Sequence, residues 1–269
     1  MDMRLVIDSH LHSDFSGDCR VPMKSMCDQA VKQQLGGLAF TEHLELEIEY
    51  KNSNMKVDLD KYFNRIDEVR ALFGSQLNIF TGIEIGLSEA VLDEVKIISE
   101  SKPFDIIIGS VHGLDGIDAS FPEFYRGKSK REVYDRYLKT ILEMVSSYQN
   151  YSVVGHIGYI AKYAPFSDIE FKLNEHREIL EAIFKKVIET GHGIELNTST
   201  IRRNGLTMPS LEILDLYCAM GGELITIASD AHHQESVGGE FDYAIECLKQ
   251  IGFRYLTHYQ SLKPFMTPI

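Results

Sequence analysis

Residues 6–14 read VIDSHLHSD, and the reading of this stretch decides the fold. A short apolar run that suits a buried strand leads into Asp8, His10 and His12 at alternate positions. Alternate side chains of an extended chain share one face, so these three are expected to converge on one point at the strand's end. An HxH pair so spaced can chelate a metal; two polar residues at a strand end would look the same, and the stretch alone does not choose.

Outward from it, short apolar runs alternate with longer segments of helical period, the pattern of parallel strands joined by helices. Seven strands are predicted, over 4–8, 37–40, 78–83, 104–109, 151–155, 193–197 and 224–228. Between them Tyr62, Ile66, Val69 and Phe73 recur at helical spacing, as do Tyr137, Ile141 and Met144, and Ile179, Ile183 and Val187, and these faces are read as core. Asp58, Ser88 and Ser210 stand where N-caps belong, and Gly191 and Gly252 where C-caps do. Such a series suits a closed barrel or an open doubly wound sheet, and period does not separate them. Polar residues do: a barrel draws its reactive groups from many strand ends, an open sheet from one switch point.

Each later strand delivers a ligand type at its end: His43 in LAFTEH, Glu84 in FTGIEIG, His112 in IIIGSVH, His156 in SVVGH, and Asp230 with His232 in IASDAH. The chain has ten histidines, and His176 and His192 are the ones expected on helix faces. Six others, His10, His12, His43, His112, His156 and His232, sit just past apolar strands, and their shared destination is a metal site at a barrel mouth. Imidazoles with a few carboxylates suit zinc, manganese or iron, and Glu84 is the natural bridging ligand, since a carboxylate can span two ions and a neutral imidazole cannot.

Composition bounds the partners. The 269 residues are 44% hydrophobic and 25% charged, which is ordinary for one globular domain, so a single domain over 1–269 is expected. A net charge of −13 with no dense basic run argues against nucleic acid, and an acidic protein handling a phosphate ester must neutralise it locally with metals or placed Arg and Lys side chains. Cys19, Cys27, Cys218 and Cys247 form no CxxC pair and fit a reducing compartment as small buried hydrophobes. The start, MDMRLVIDSH, lacks a signal peptide's apolar region, and no apolar stretch approaches ~20 residues, so a cytoplasmic protein without a membrane partner is expected.

In order along the chain, the DxHxH of 8–12, TEH of 41–43, GIEIG, GSVH, GHIGY and SDAH resemble the motifs of the PHP (polymerase and histidinol phosphatase) family over nearly the whole length. The spacing, with GHIGYIAKYAPF and ELNTS, is most similar to the histidinol-phosphatase branch. The resemblance implies an α/β fold, a distorted seven-stranded β/α (TIM-like) barrel of the PHP type, and a metal-dependent phosphomonoesterase acting on L-histidinol phosphate in histidine biosynthesis. It implies three divalent ions: one on His10, His12, Glu84 and Asp230, a second on Glu84, His112 and His156, a third on Asp18, His43 and His232. Asp18 stands where many relatives have histidine. Asp8 and Glu42 resemble groups that orient histidines.

No activated nucleophile is evident, because Cys19 has no CxxxxxR loop, and the leaving alkoxide's proton would come from Asp230, His232 or a metal-bound water. Arg202, and with it Arg203, in NTSTIRRNG, and Lys162 in GYIAKYAPF, are the candidates for gripping phosphate. Members of the branch often carry Arg at the Lys162 position and Asp at the Gly158 position, so this chain departs twice. A rival within the family is a phosphatase for phosphotyrosine or a nucleotide. More distant rivals are an amidohydrolase barrel, against which no strand-end Lys is found and Glu84 takes its place, and a non-catalytic metal-binding module.

Overall fold

The protein is described here by a computed structural model, which covers residues 2–48 and 55–269. Eleven strands run in the order β1 (Ile7–Leu11), β2 (Gly37–Leu44), β3 (Asn78–Gly86), β4 (Ile106–Ser110), β5 (Gly113–Leu114), β6 (Ile117–Asp118), β7 (Val153–Val154), β8 (Gly193–Asn197), β9 (Ile225–Ala228), β10 (Tyr255–Gln260) and β11 (Lys263–Pro268). The helices are α1 (Met23–Lys32), α2 (Leu59–Phe73), α3 (Leu92–Glu100), α4 (Lys130–Ser147), α5 (Leu173–Glu189), α6 (Ile201–Asn204), α7 (Leu211–Ala219) and α8 (Phe241–Ile251). Seven strands form one parallel sheet in the order β1-β2-β3-β4-β7-β8-β9. A parallel bridge between Leu11 and Ala231, with Asp230 N–H on the His10 carbonyl at 2.8 Å and His12 N–H on the Ala231 carbonyl at 3.0 Å, brings the two edges together into a nearly closed barrel. Among the described residues no helix is long and apolar enough to cross a membrane.

The helical faces pack as their spacing implies. Tyr62, Ile66, Val69 and Phe73 of α2, Tyr137, Ile141 and Met144 of α4, and Ile183 and Val187 of α5 are buried, while Ile179 is half-buried against the same core. Asp58 caps α2 by accepting from Lys61 N–H at 3.2 Å, and Gly252 at φ +119° ends α8. Ser88 and Ser210 precede helical turns but make no side-chain cap bond.

Strand ends differ from the sequence reading in a way that matters for the site. Residues 3–5 form a 3-10 turn capped by Asp2, so β1 begins at Ile7. Strands β2 and β3 run on to Leu44 and Gly86, which puts His43 and Glu84 within strands and aims them by the pleat rather than by a loop. A bulge interrupts the pairing of β1: Asp8 lies beside Leu38 and Leu11 beside Phe40, so three residues of one strand oppose two of the other. Residues side by side in a sheet point to the same face, and Leu38 and Phe40 face the helices. The expectation that Asp8 shares a face with His10 and His12 is therefore corrected: the extra residue turns Asp8 outward and leaves the two histidines inward.

The hairpin β10-β11 was not foreseen. Its turn residues Ser261 and Leu262 have φ +51° and +61°, conformations that Asn-Gly pairs usually signal, and Pro264 and Pro268 argue against a strand. It closes the end of the barrel where the strands begin. Tyr259 joins Ala39, Ile106, Ile108 and Val153 in a small inner cluster and donates to the Ser152 carbonyl at 3.1 Å, while Ser261 N–H and Leu262 N–H bond the Asp105 carboxylate and carbonyl, each at 3.0 Å.

His258 on β10 is buried, packs against Phe265 at 5.5 Å, and has no hydrogen-bond partner for either ring nitrogen among the described residues. Burial pushes its pKa down to about 4 from 6.5. Between those values the unfolded chain binds a proton that the folded chain does not, so stability is full above pH 6.5 and falls as pH drops toward 4. On going from pH 7 to pH 5 this residue alone is expected to cost about 2 kcal/mol. Urea unfolding at the two pH values should show that His258→Gln narrows the gap by that amount; an unchanged gap would count against the assignment.

Candidate metal centre

Glu84 lies at the centre of the mouth, 1% exposed, because β3 carries it inward beside His43 of β2, while on the other side β4 places Ile108 at its level and His112 reaches it from just beyond that strand. Its Oε1 is 2.7 Å from His156 Nε2 and 3.0 Å from His112 Nε2, which are 3.3 Å from each other. Its Oε2 is 3.0 Å from His43 Nδ1, 3.3 Å from His10 Nε2 and 3.5 Å from His12 Nε2. Asp230 Oδ1 lies 3.3 Å from His12 Nε2 and 3.8 Å from His10 Nε2. The backbone at Asp230 has φ +50°, a left-handed turn that Asp tolerates better than most side chains and that bends the chain back at the end of β9. Farther out, Asp18 Oδ2 sits 3.1 Å from His232 Nε2 and 3.4 Å from His43 Nε2.

The far nitrogens of these rings settle which atoms face inward. His10 Nδ1 donates to Glu195 Oε2 at 2.7 Å, His12 Nδ1 meets Ser16 Oγ at 3.1 Å, His112 Nδ1 meets Glu45 Oε1 in a short contact, and His232 Nδ1 meets the Asp230 carbonyl at 3.0 Å. Ser16 donates its own proton to Glu42 Oε2 at 2.6 Å and accepts from His43 N–H, so towards His12 it can only accept. Each of these four rings therefore holds its proton outward and turns an Nε2 lone pair into the cluster. Glu84 Oε2, Asp18 Oδ1 and His43 Nδ1 are buried without a hydrogen-bond partner. Lone pairs and carboxylate oxygens facing one another at these distances repel unless a cation sits among them. Ligands about 2.1 Å from a tetrahedral ion lie about 3.4 Å apart, which matches the spacing. The residues fit divalent metal ions.

Three groups of three ligand atoms lie close enough to share an ion: His10, His12 and Asp230; His10, Glu84 and His156; and His12, His43 and His232. These groups take in seven of the nine candidate ligands from the sequence, and the other two adjoin them, Asp18 beside His43 and His232 and His112 beside Glu84 and His156. They form one continuous cluster in which His10 and His12 adjoin more than one group, not three separate sets. Were protons rather than metal ions to fill the cluster, burial would raise the Glu84 carboxyl, but protonated His10, His112 and His43 would hold it well below the usual carboxylate range. Burial likewise opposes ionisation of Asp230, and in that protonated state the His12 hydrogen bond with the charges of His10 and Lys162 would overcome it.

Of the two expected orienting groups, Glu42 acts on His12 through Ser16, whereas Asp8 touches no imidazole. The Asp8 carboxylate accepts from Ser229 N–H at 3.0 Å, Ser229 Oγ at 2.5 Å and Gly238 N–H at 3.0 Å, which ties β1 to the loop after β9. Glu45, Glu195 and Ser110, which donates to Glu84 Oε1 at 2.7 Å, escaped the sequence reading. A charge inside the apolar strand GIELN was the available signal for Glu195; Glu45, two residues after His43, offered the same clue more weakly. Gly86 makes room for Glu45, since a Cβ there would lie 2.0 Å from its carboxylate.

A cavity of about 330 Å³ opens above the cluster. Arg202 and Lys162 line it; Arg203 does not and is exposed, a correction to the sequence expectation. Arg202 is exposed as well, and what separates the two is that successive residues of a helix such as α6 point about 100° apart. Gly158, at φ +109°, would direct a Cβ toward Phe171, 3.6 Å away, in a crevice apart from this cavity, so a carboxylate at that position would not face the metal cluster. His176 is on α5 and bonds Asp135 at 2.9 Å, as a helix-face histidine does; His192 instead lies in the turn before β8, stacked on Tyr151.

A β/α barrel whose strands bring histidines and carboxylates to one mouth, with their lone pairs turned inward, defines a barrel protein with a mouth suited to hold metal ions. The chain belongs to the PHP domain family, which matches residues 8–199. It is 31% identical over 242 residues to a "Probable histidinol-phosphatase" of Clostridium acetobutylicum, covering 90% of this chain and 92% of that one. It is 29% identical over 258 residues to the histidinol-phosphatase of Lactococcus lactis, covering 96% and 95%. The crystal structure of histidinol phosphate phosphatase from Lactococcus lactis, complexed with zinc, L-histidinol and phosphate, superposes with a TM-score of 0.88 at 29% identity, covering 97% of this chain and 98% of that one.

Groups that hold a ligand histidine in place typically contribute tenfold or more to metal affinity. Glu195→Gln is expected to weaken zinc retention about 10- to 100-fold with the fold intact, as chelator competition with circular dichroism would register. Wild-type retention would show that Glu195 has no such role.

Proposed function

We propose that this chain, residues 1–269 acting as one PHP domain, is a metal-dependent phosphomonoesterase that hydrolyses L-histidinol phosphate to L-histidinol and phosphate, and so serves histidine biosynthesis. The observation that carries the chemistry is the inward turn of the Nε2 lone pairs around Glu84. The substrate follows from the full-length likeness to histidinol-phosphatases, one of them crystallised with zinc, L-histidinol and phosphate.

In this reading His10, His12, Glu84 and Asp230 hold one ion, Glu84, His112 and His156 a second, and Asp18, His43 and His232 a third, with zinc, manganese and iron all suited to the donors. Bound there, such ions would supply Lewis acidity toward a phosphoryl group and a more acidic water near neutral pH. Glu84 would be shared by two of the sets. Asp230 and His232, 3.6 Å apart, are our candidates for moving protons between the attacking water and the leaving alkoxide. The non-bridging oxygens fall to Arg202 and Lys162. Arg202 is steadied by Glu240, which accepts from its Nε at 2.7 Å and leaves both Nη groups for the phosphate. Lys162 lies over the rings of Tyr159 and Tyr163, at 5.8 and 5.6 Å, on the same wall.

Phosphate release from L-histidinol phosphate, p-nitrophenyl phosphate and other phosphomonoesters, with protein reconstituted separately with zinc, manganese and iron, tests this. Strong preference for L-histidinol phosphate is expected. Comparable slow turnover of every ester would point to another phosphomonoester, and no turnover with metals demonstrably bound would overturn the phosphatase reading. Arg202→Ala is expected to lower kcat/KM about 10- to 100-fold, the scale of one charge-assisted contact, with metal content unchanged. Full activity in that variant would remove Arg202 from the site.

A further inference from the structure

Six carboxylates line the cavity, and five have an evident partner. Asp18, Glu84 and Asp230 face imidazoles, Glu45 holds His112, and Glu240 holds Arg202. The sixth is Asp118, delivered by the small hairpin of β5 and β6. It is 4% exposed, and its one hydrogen bond among the described residues runs to Oδ1 from Ser120 N–H at 2.7 Å. Oδ2 has no donor there.

That open oxygen belongs to a partly apolar cavity. Ile48 and Met55 contribute apolar wall to it, and the ring of Tyr159, which also lines it, packs 4.9 and 5.0 Å from His112 and His156. A largely buried carboxylate with half its acceptor capacity unused can take a charge-assisted hydrogen bond from a cation or donor. A ligand in the cavity is what can supply one, and the oxygen stands on the same rim as the groups assigned to phosphate.

We infer that Asp118 is a cation subsite, a specificity-determining carboxylate that takes the ammonium or imidazolium N–H of the leaving group while the phosphoryl end occupies the metal cluster. This rests on the phosphomonoesterase reading above and deepens it. An ester whose alcohol carries a positive charge gains a charge-assisted hydrogen bond, and one with a neutral alcohol does not. The site thereby discriminates by the leaving group's charge, which the metals, contacting only the phosphoryl group, cannot sense.

Asp118→Asn separates this role from a turn-forming one, since the amide oxygen still accepts from Ser120 N–H and only the charge is lost. Zinc-loaded wild-type and variant proteins would be compared with L-histidinol phosphate, 2-aminoethyl phosphate and p-nitrophenyl phosphate, alongside calorimetric binding of L-histidinol. For L-histidinol phosphate, kcat/KM is expected to fall about 10- to 100-fold, chiefly through KM, and L-histidinol affinity to fall by a similar factor. Turnover of p-nitrophenyl phosphate should stay within about twofold, as for any substrate without the cation. A matching loss with 2-aminoethyl phosphate assigns the ammonium to Asp118; a loss confined to L-histidinol phosphate assigns the imidazolium. Equal loss on all three esters, or none on L-histidinol phosphate, overturns the inference. Wild-type protein that does not prefer L-histidinol phosphate over p-nitrophenyl phosphate overturns the substrate reading and this inference with it, whereas a preference undiminished in Asp118→Asn overturns this inference alone.

Discussion

The mutual repulsion of lone pairs in the barrel mouth is the constraint on which the rest of the structure depends. Imidazole nitrogens and carboxylate oxygens approach one another to between 2.7 and 3.5 Å, most of them out of water, in an arrangement that only cations make favourable. Holding it demands that each ring be gripped from behind. The acceptors that do so come from four places: Glu195 on β8, Glu45 just beyond β2, Ser16 in the loop after β1, and the carbonyl of Asp230 beyond β9. A barrel suits this task because its strands present first- and last-formed segments side by side: Glu195 reaches His10 across 185 positions and Glu45 reaches His112 across 67, while Ser16 and the Asp230 carbonyl act on near neighbours.

The two ends of the barrel are built for opposite purposes. At one, β10 and β11 seal the interior with Tyr259 and are anchored through Asp105, which also accepts from Thr81 and Arg70. At the other, loops leave the cavity open and arrange its charge. A protein of net charge −13 would repel a phosphate ester in solution, and within about a Debye length of the mouth the local cations must reverse that field. Arg202 and Lys162, together with whatever metals the cluster holds, do this over a few ångströms, while the acidic remainder favours an ester whose other end is positive.

Most of the barrel and nearly all of the central cluster are legible in the sequence because both depend on local pattern: apolar runs of strand length, and a histidine or acid where each run ends. The wider field of view fails where the signal is relational. The bulge at Asp8 cannot be seen in VIDSHLHSD, because it is a mismatch with β2 and not a property of β1. Asp18, from a loop, was reached by family resemblance and not by strand position. Asp118 sits in a two-residue strand with no periodicity, and the β10-β11 turn uses Ser261 and Leu262 where glycine or asparagine would have announced it. Arg202 and Arg203 are neighbours in sequence, and only the course of α6 distinguishes the residue at the cavity from the one in solvent.

The Asp8 carboxylate bridges 221 positions to Ser229 and 230 to Gly238. A ribosome has made almost the entire chain before that clasp can close, and until it does the loop bearing Asp230 and His232 has no fixed place beside His10 and His12. Contacts of such separation form late, after the helices and neighbouring strands they join. Of the three ligand groups, that of His10, Glu84 and His156 is complete without this loop, whereas the other two need Asp230 or His232. The cluster is thereby assembled in stages as the chain folds, and a product that stops before Asp230 would keep one of its three ligand groups.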